Sequence, residues 1–259
     1  MECRYDGTFV GLLSLFARLF ELGLEPSTIL AGEPPQGDLF ASPVEVAADA
    51  PTARRLLAEL SRRHGPRVSA DLRDAWLSQV PEAPLLLFRY LQRGRELGTA
   101  LGRHLADPDV HAVQRLARRV RRESHRLKGL VRFRELADGL LYAPLRPDAL
   151  VLPLLGSHFH RRLRPAPWLI HDLNRNLALL DDGRGWLLGE LAPHAPPPLA
   201  AAETDWQQLW RRFCTEIAID ERRSLRRQQH FLPKKYWGEL VEFDQAPKGG
   251  RPAKNPAKT

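Results

Sequence analysis

Apolar residues recur at helical spacing over most of the chain. Leu12, Leu13, Leu15, Phe16, Leu19 and Phe20 give a wide apolar face behind Thr8, a good N-cap, so a helix is predicted to run to about residue 22. Residues 5–9 read as a short strand or turn punctuated by Asp6-Gly7. A Pro/Gly-rich loop over 31–43 and a short strand over 44–46 come next. Helices are expected at 53–63, 70–79 and 84–97, parted by Gly65-Pro66 and by Pro81 and Pro84. A helix over 110–127, capped by Asp109, carries Val113, Leu116, Ala117, Val120 and Leu127 on one face. At ~100° per residue, Arg115, Arg118, Arg119, Arg122 and Arg126 fall within a ~100° arc on the opposite face.

The period then drops to two. Val131 and Phe133 alternate with Arg132 and Arg134 as in a half-buried strand, Asp138-Gly139 makes a hairpin turn, and 140–145 returns as a second strand. A short helix over 153–163 precedes a meander of strands over 168–172, 176–180 and 186–191. Beyond the proline-rich connector at 193–198, Asp205 starts a helix whose Trp206, Leu209, Trp210, Phe213 and Ile217 repeat at helical spacing, the pattern of core residues. A basic stretch over 222–229, a last helix over 233–243 begun by Pro233, and a Lys/Pro/Gly tail over 245–259 with expected disorder complete the chain. The pattern is α+β, mostly helical, with a small, mainly antiparallel sheet from the middle of the chain. Three regions are expected: helical 1–108, a basic α+β region with C-terminal helices over 109–245, continuous with the first or separate, and a basic tail over 246–259.

Charge changes this picture. The 259 residues include 39 Lys+Arg and 31 Asp+Glu, a formal net charge of +8. Residues 1–100 hold 11 basic and 13 acidic side chains, so the whole excess lies in 101–259, which uniform coding bias toward arginine would not produce. The segment from Arg115 to Arg134 holds nine Lys+Arg and one Glu. Such a face suits a polyanion, because each neutralised phosphate releases counterions. The plainer alternative is a solvated helix face whose arginines pair with acids of the N-terminal part.

The two cysteines, Cys3 and Cys214, stand in no metal-ligand spacing and suit a reducing compartment. No apolar run spans a bilayer and the first residues carry no secretory signal, so a soluble, cytoplasmic protein is expected, with no cofactor, no metal and no membrane partner. There is no P-loop, dinucleotide fingerprint, HExxH or nucleophile elbow.

The candidate phosphate contacts are Arg118, Arg119, Arg122, Arg126, Lys128, Arg132 and Arg134, joined by Arg161, Arg162, Arg175 and Arg222, since the planar guanidinium donates two parallel hydrogen bonds. Trp168 or Tyr236 would stack a base, with burial the plainer reading of Trp168. The acid/base candidates are Glu123, His125, His158, Asp172 and Glu221. Against a catalytic reading, Glu123 and His125 lie ~160° apart on a helix. His158 and His160 have a spacing that chelates poorly from a helix, and His171 and Asp172 face opposite ways on a strand.

Several motifs together carry a family resemblance: Tyr5-Asp6-Gly7-Thr8-Phe9; the run from Glu123-Ser124-His125-Arg126 to Val131-Arg132-Phe133; His158-Phe159 with Arg162; Trp168-Leu169-Ile170-His171-Asp172 with Arg175; Ile217-Ala218-Ile219-Asp220-Glu221-Arg222; and Pro233-Lys234-Lys235-Tyr236-Trp237. Over roughly residues 3–243 the chain resembles a bacterial family described in terms of DNA metabolism or DNA repair, a domain of unknown function also found fused to uracil-DNA glycosylase-like domains. Ser224 stands where that family leads one to expect Asn. The resemblance implies a DNA-repair setting and, as partner, a radical-SAM-related DNA-modification protein encoded beside stand-alone members; it implies no catalytic residues. The expected function is DNA binding in repair or DNA metabolism with a separate catalytic partner. The alternatives are a glycosylase- or nuclease-like enzyme and an adaptor that docks the radical-SAM-related partner through its basic face.

Overall fold

The computed structural model describes residues 1–32, 44–191, 198–218 and 224–243. The chain divides into two compact units, Met1–His125 with Asp148–Val151, and Arg126–Pro147 with Leu152–Thr259. The division falls inside a helix rather than ahead of it.

The first unit opens with β1 (Glu2–Tyr5), which turns through Asp6-Gly7 into α1 (Phe9–Leu22). Thr8 caps α1 as expected: its Oγ1 accepts from the Gly11 backbone N–H at 2.9 Å. The chain returns as β2 (Thr28–Ala31), and β3 (Val44–Glu45) pairs on the other side of β1. All three strands run parallel, in the order β2-β1-β3. This sheet was not anticipated as such: β2 is four residues without alternation, and its partner lies across a helix. Then follow α2 (Ala50–His64), α3 (Pro66–Trp76), α4 (Ala83–Leu97), a 3-10 turn at Gly98–Arg103, and α5 (Pro108–Leu130), of which Pro108–His125 belongs to this unit. Asp107, not Asp109, caps α5, its Oδ1 accepting from the N–H groups of Asp109 and Val110. Leu12, Phe16 and Leu19 of α1 pack with Leu72, Leu87, Phe88, Val113 and Ala117 in one core.

The second unit is built on a five-stranded sheet in the order β4-β5-β6-β7-β8, from β4 (Arg134–Glu135), β5 (Leu141–Leu145), β6 (Trp168–Asp172), β7 (Leu177–Asp181) and β8 (Trp186–Glu190). Only β5 and β6 run parallel, joined by the crossover helix α6 (Leu152–Leu163); the other pairs are antiparallel, so the sheet is mainly antiparallel and the protein is α+β. Residues 131–133 are irregular and the strand begins only at Arg134. Phe133 nonetheless turns inward, its ring 5.3 Å from Phe159 and 6.3 Å from Trp168. Gly156 lets Trp186 lie on α6: a Cβ there would fall 2.5 Å from the indole.

The remaining elements are α7 (Glu203–Glu216), α8 (Leu225–Phe231) and two 3-10 turns, Lys234–Glu239 and Val241–Phe243, where one helix was expected. The stripe on α7 is not core: Trp206 is 61% exposed, Leu209 56%, Phe213 49% and Ile217 60%. The expected tail lies outside the described residues.

Candidate nucleic-acid interface

Helix α5 carries the two faces its sequence encodes. Val113, Ala117, Val120 and Leu127 are buried, while Arg115, Arg119 and Arg122 are exposed and Arg118 is half-buried. Arg121, just outside the arc, turns inward and pairs with the buried carboxylates of Asp71 and Asp74. Arg119 reaches Asp148 at 3.4 Å in an exposed pair of little energetic weight. Arg115, Arg118 and Arg122 have no carboxylate of the described residues within 4.0 Å. Glu123 is buried, and its two oxygens accept from the N–H groups of Asp148 and Ala149, both at 3.0 Å. It therefore holds a loop rather than offering a base. His125 is exposed on the same helix.

In the second unit the last turns of α5 supply Arg126 and Lys128, both half-buried, and α6 supplies His158, Arg161 and Arg162, the two arginines exposed. Burial first, then the charges of Lys128, Arg162 and Arg161, hold His158 below the usual imidazole range. Three cations thus bear on one neutral ring, whose Nε2 is buried with no hydrogen-bond partner among the described residues. No described carboxylate lies within 4.0 Å of Arg126, Lys128, Arg161 or Arg162. Chemically this cluster offers positive potential and two exposed guanidinium forks, groups of the kind that suit an anion.

The other expected contacts are placed differently. Arg132 pairs with Glu242, Nη2 to Oε1 at 2.7 Å and Nε to Oε2 at 3.3 Å. Arg175 donates to Asp172 at 2.9 Å and to the Pro147 carbonyl at 3.2 Å, so Asp172, itself fully buried, serves as its counter-ion rather than as an acid or base for substrate. Trp168 is 0% exposed and Tyr236 4%, which corrects both from base-stacking groups to core residues: neither ring has a face free for a base. Arg134 is half-buried on β4, paired across the ladder with Tyr142. Arg222 and Glu221 lie outside the described residues. Of the acid/base candidates, Glu123 and His125 lie in the first unit and His158 and Asp172 in the second.

Sequence reasoning missed one pair. His160 Nδ1 lies 2.7 Å from Oδ2 of the fully buried Asp181, whose Oδ1 accepts from the Gly183 N–H. The residues are 21 apart, and only the β7–α6 packing brings them together. Among the described residues no group of three His, Cys, Asp or Glu could hold a metal ion, and no helix is long and apolar enough to cross a membrane.

A family model matches residues 81–242, more than half of the chain. The chain belongs to the DUF4130 family, a domain of unknown function. No curated protein and no solved structure matches it. The DUF4130 span takes in α4, α5 and the whole five-stranded sheet, so it includes the cluster of Lys128, His158, Arg161 and Arg162 and leaves out β1, β2 and β3.

Proposed function

We propose that this DUF4130 protein binds DNA in DNA repair or DNA metabolism and leaves the chemistry to a separate partner. One observation carries the reading: Lys128, Arg161 and Arg162 bear together on His158, and none is neutralised by a described carboxylate. The arginines of α5 that remain without such a partner, Arg115, Arg118 and Arg122, supply further positive charge in the first unit. Arg132 and Arg175 are withdrawn from the interface, because a guanidinium already matched to its own carboxylate has little net charge to offer a phosphate.

The repair setting and the radical-SAM-related partner rest on the family resemblance. The acid/base candidates give the enzyme reading no support: Glu123 and Asp172 are both engaged in structural hydrogen bonds and ion pairs.

The test is binding of labelled duplex and single-stranded DNA at low ionic strength by the wild-type chain and by Lys128→Gln/Arg161→Gln/Arg162→Gln. The reading expects wild-type binding and a loss of about 10-fold or more in the triple variant, as three phosphate contacts disappear. Absence of wild-type binding, or equal binding by the variant, overturns it.

A further inference from the structure

The two edges of the five-stranded sheet are finished differently. On one side β4 is only two residues long, both charged, and the chain covers it: Leu199 bridges to Leu136, the Ala200 N–H donates to the Glu135 carbonyl, and the Ala137 N–H donates to the Pro198 carbonyl. On the other side β8 runs for five residues, Trp186-Leu187-Leu188-Gly189-Glu190, and no strand among the described residues pairs with its outer side. It has none of the lysine, proline or bulge that protects an open edge from other chains. Trp186, Leu187 and Leu188 are all exposed, Leu187 by 59%.

The backbone of β8 is set to pair a second time. Leu191 donates its N–H to the Asn176 carbonyl, and the antiparallel register with β7 alternates from there without a break. Gly189 and Leu187 therefore bond to β7, while the N–H and C=O groups of Trp186, Leu188 and Glu190 turn outward. The side chains suit the same strand run in the opposite direction. An antiparallel copy related by a two-fold axis at Leu187 sets Leu187 against Leu187, Trp186 against Leu188, Gly185 against Gly189 and Arg184 against Glu190. Arg184 and Glu190 are exposed, and neither forms an ion pair with another described residue; Arg184 acts on Asp182 only at a distance.

We propose that β8 pairs with β8 of a second copy of this chain, antiparallel about Leu187, so that two sheets join into one. A second copy is the occupant because the segment complements itself: its basic end meets the acidic end of the copy, twice over, and apolar side chains meet apolar side chains between them. A strand charged alike at both ends would repel its own copy. The axis stands perpendicular to the sheet, so both α6 helices, each packed against its own Trp186 at Gly156, lie on the same face of the joined sheet. The paired segment is short, so the dimer is a weak one, with a Kd of about 1–100 µM.

The test is sedimentation equilibrium of the full chain, free of nucleic acid, from about 1 to about 200 µM. Wild type should pass from monomer to dimer across that range. Leu187→Lys places like charges opposite each other at the axis and changes a side chain that is already exposed, so it should stay monomeric with an unchanged thermal melt. Arg184→Glu and Glu190→Arg should each weaken the dimer by about 3- to 30-fold, and Arg184→Glu/Glu190→Arg should restore it, a recovery that only the paired register produces. Because the measurement contains no DNA, its outcome is independent of the DNA reading. A wild-type chain that remains monomeric at about 200 µM overturns the proposal. So does a dimer that Leu187→Lys leaves intact, which would place the contact elsewhere, or a double charge swap no stronger than the single ones.

Discussion

Arg132 grips Glu242 at two points, and its remaining nitrogen, Nη1, donates to the Gly129 and Leu130 carbonyls at the end of α5. The same guanidinium lies 5.2 Å over the Trp210 ring, and Trp210 donates its indole N–H to Glu242 at 3.1 Å. A residue that reads in sequence as free positive charge is here the fastening between α5, α7 and the last 3-10 turn. Glu242→Ala is expected to lower unfolding free energy by about 1–3 kcal/mol, since it strands a half-buried cation. It should not weaken DNA binding, because it releases a positive charge rather than removing one. Urea denaturation and a DNA titration of the same variant check both halves.

That pair also sets a pH dependence. Burial by itself would raise the Glu242 carboxyl, but the Arg132 hydrogen bond and charge, with the Trp210 N–H, win and hold it below the usual carboxylate range. Its stabilisation is therefore complete above the ordinary glutamate value of about 4.3 and is lost as the pH falls through the depressed folded-state value. Glu242→Gln should flatten the stability profile in that acid window and leave its shape near neutrality unchanged.

Glu123 gives a second contrast between motif and role. Its carboxylate accepts from two successive backbone N–H groups, so Glu123→Ala is expected to cost about 2–4 kcal/mol, and Glu123→Gln less, because the amide keeps one acceptor. Urea midpoints for the two variants provide the comparison. Equal and negligible losses would mean that the carboxylate does not hold the loop.

His158 would report directly on the proposed DNA contact. Burial, Lys128, Arg162 and Arg161 all favour its neutral form, so its imidazole should titrate below the unperturbed value of about 6.5. Because the folded-state value is depressed, the neutral ring contributes stability above about pH 6.5 that is lost as the pH falls through the lower, folded value. Lys128→Gln should move the titration upward, and so should bound DNA, whose phosphate offsets the cations. Proton NMR of the His158 ring, with and without oligonucleotide, measures both shifts.

The apolar stripe of α7 marks where the sequence pattern stops being informative. Periodicity identifies the helix and places Trp206, Leu209, Phe213 and Ile217 on one side, but it does not say whether anything covers that side. Here Leu209 and Phe213 are about half exposed or more. Leu209→Ser and Phe213→Ser should each change stability by within about 0.5 kcal/mol, whereas buried residues of that size would cost several times as much. Thermal melts of the two variants decide it.

Elements whose burial and charge share one local period were legible: α5 with its opposed faces, the meander of β6 to β8, and Thr8 as cap of α1. Features created by distant pairing were not. β2 owes its existence to the register with β1, and Arg132 meets a carboxylate 110 residues away. His160 finds Asp181 only once α6 has packed on β7. Within the candidate site, α6 places Arg161 and Arg162 where their charges act with that of Lys128, while Arg132, Arg175, Trp168 and Tyr236 were taken up by the core and its ion pairs.

The central claim is that the cations left without carboxylate partners are the ones that meet DNA. Its most direct measurement is the dependence of DNA affinity on salt for wild type, for Lys128→Gln/Arg161→Gln/Arg162→Gln, and for Arg146→Gln, a cation paired with Glu239 at 3.0 Å. Each lost phosphate contact removes about 0.9 from the logarithmic slope on duplex DNA, or about 0.7 on a single strand. The triple variant should therefore flatten the slope by about 2–3 units, and Arg146→Gln should leave it nearly unchanged. Equal slopes for wild type and the triple variant, or a larger loss from Arg146→Gln, would contradict the account.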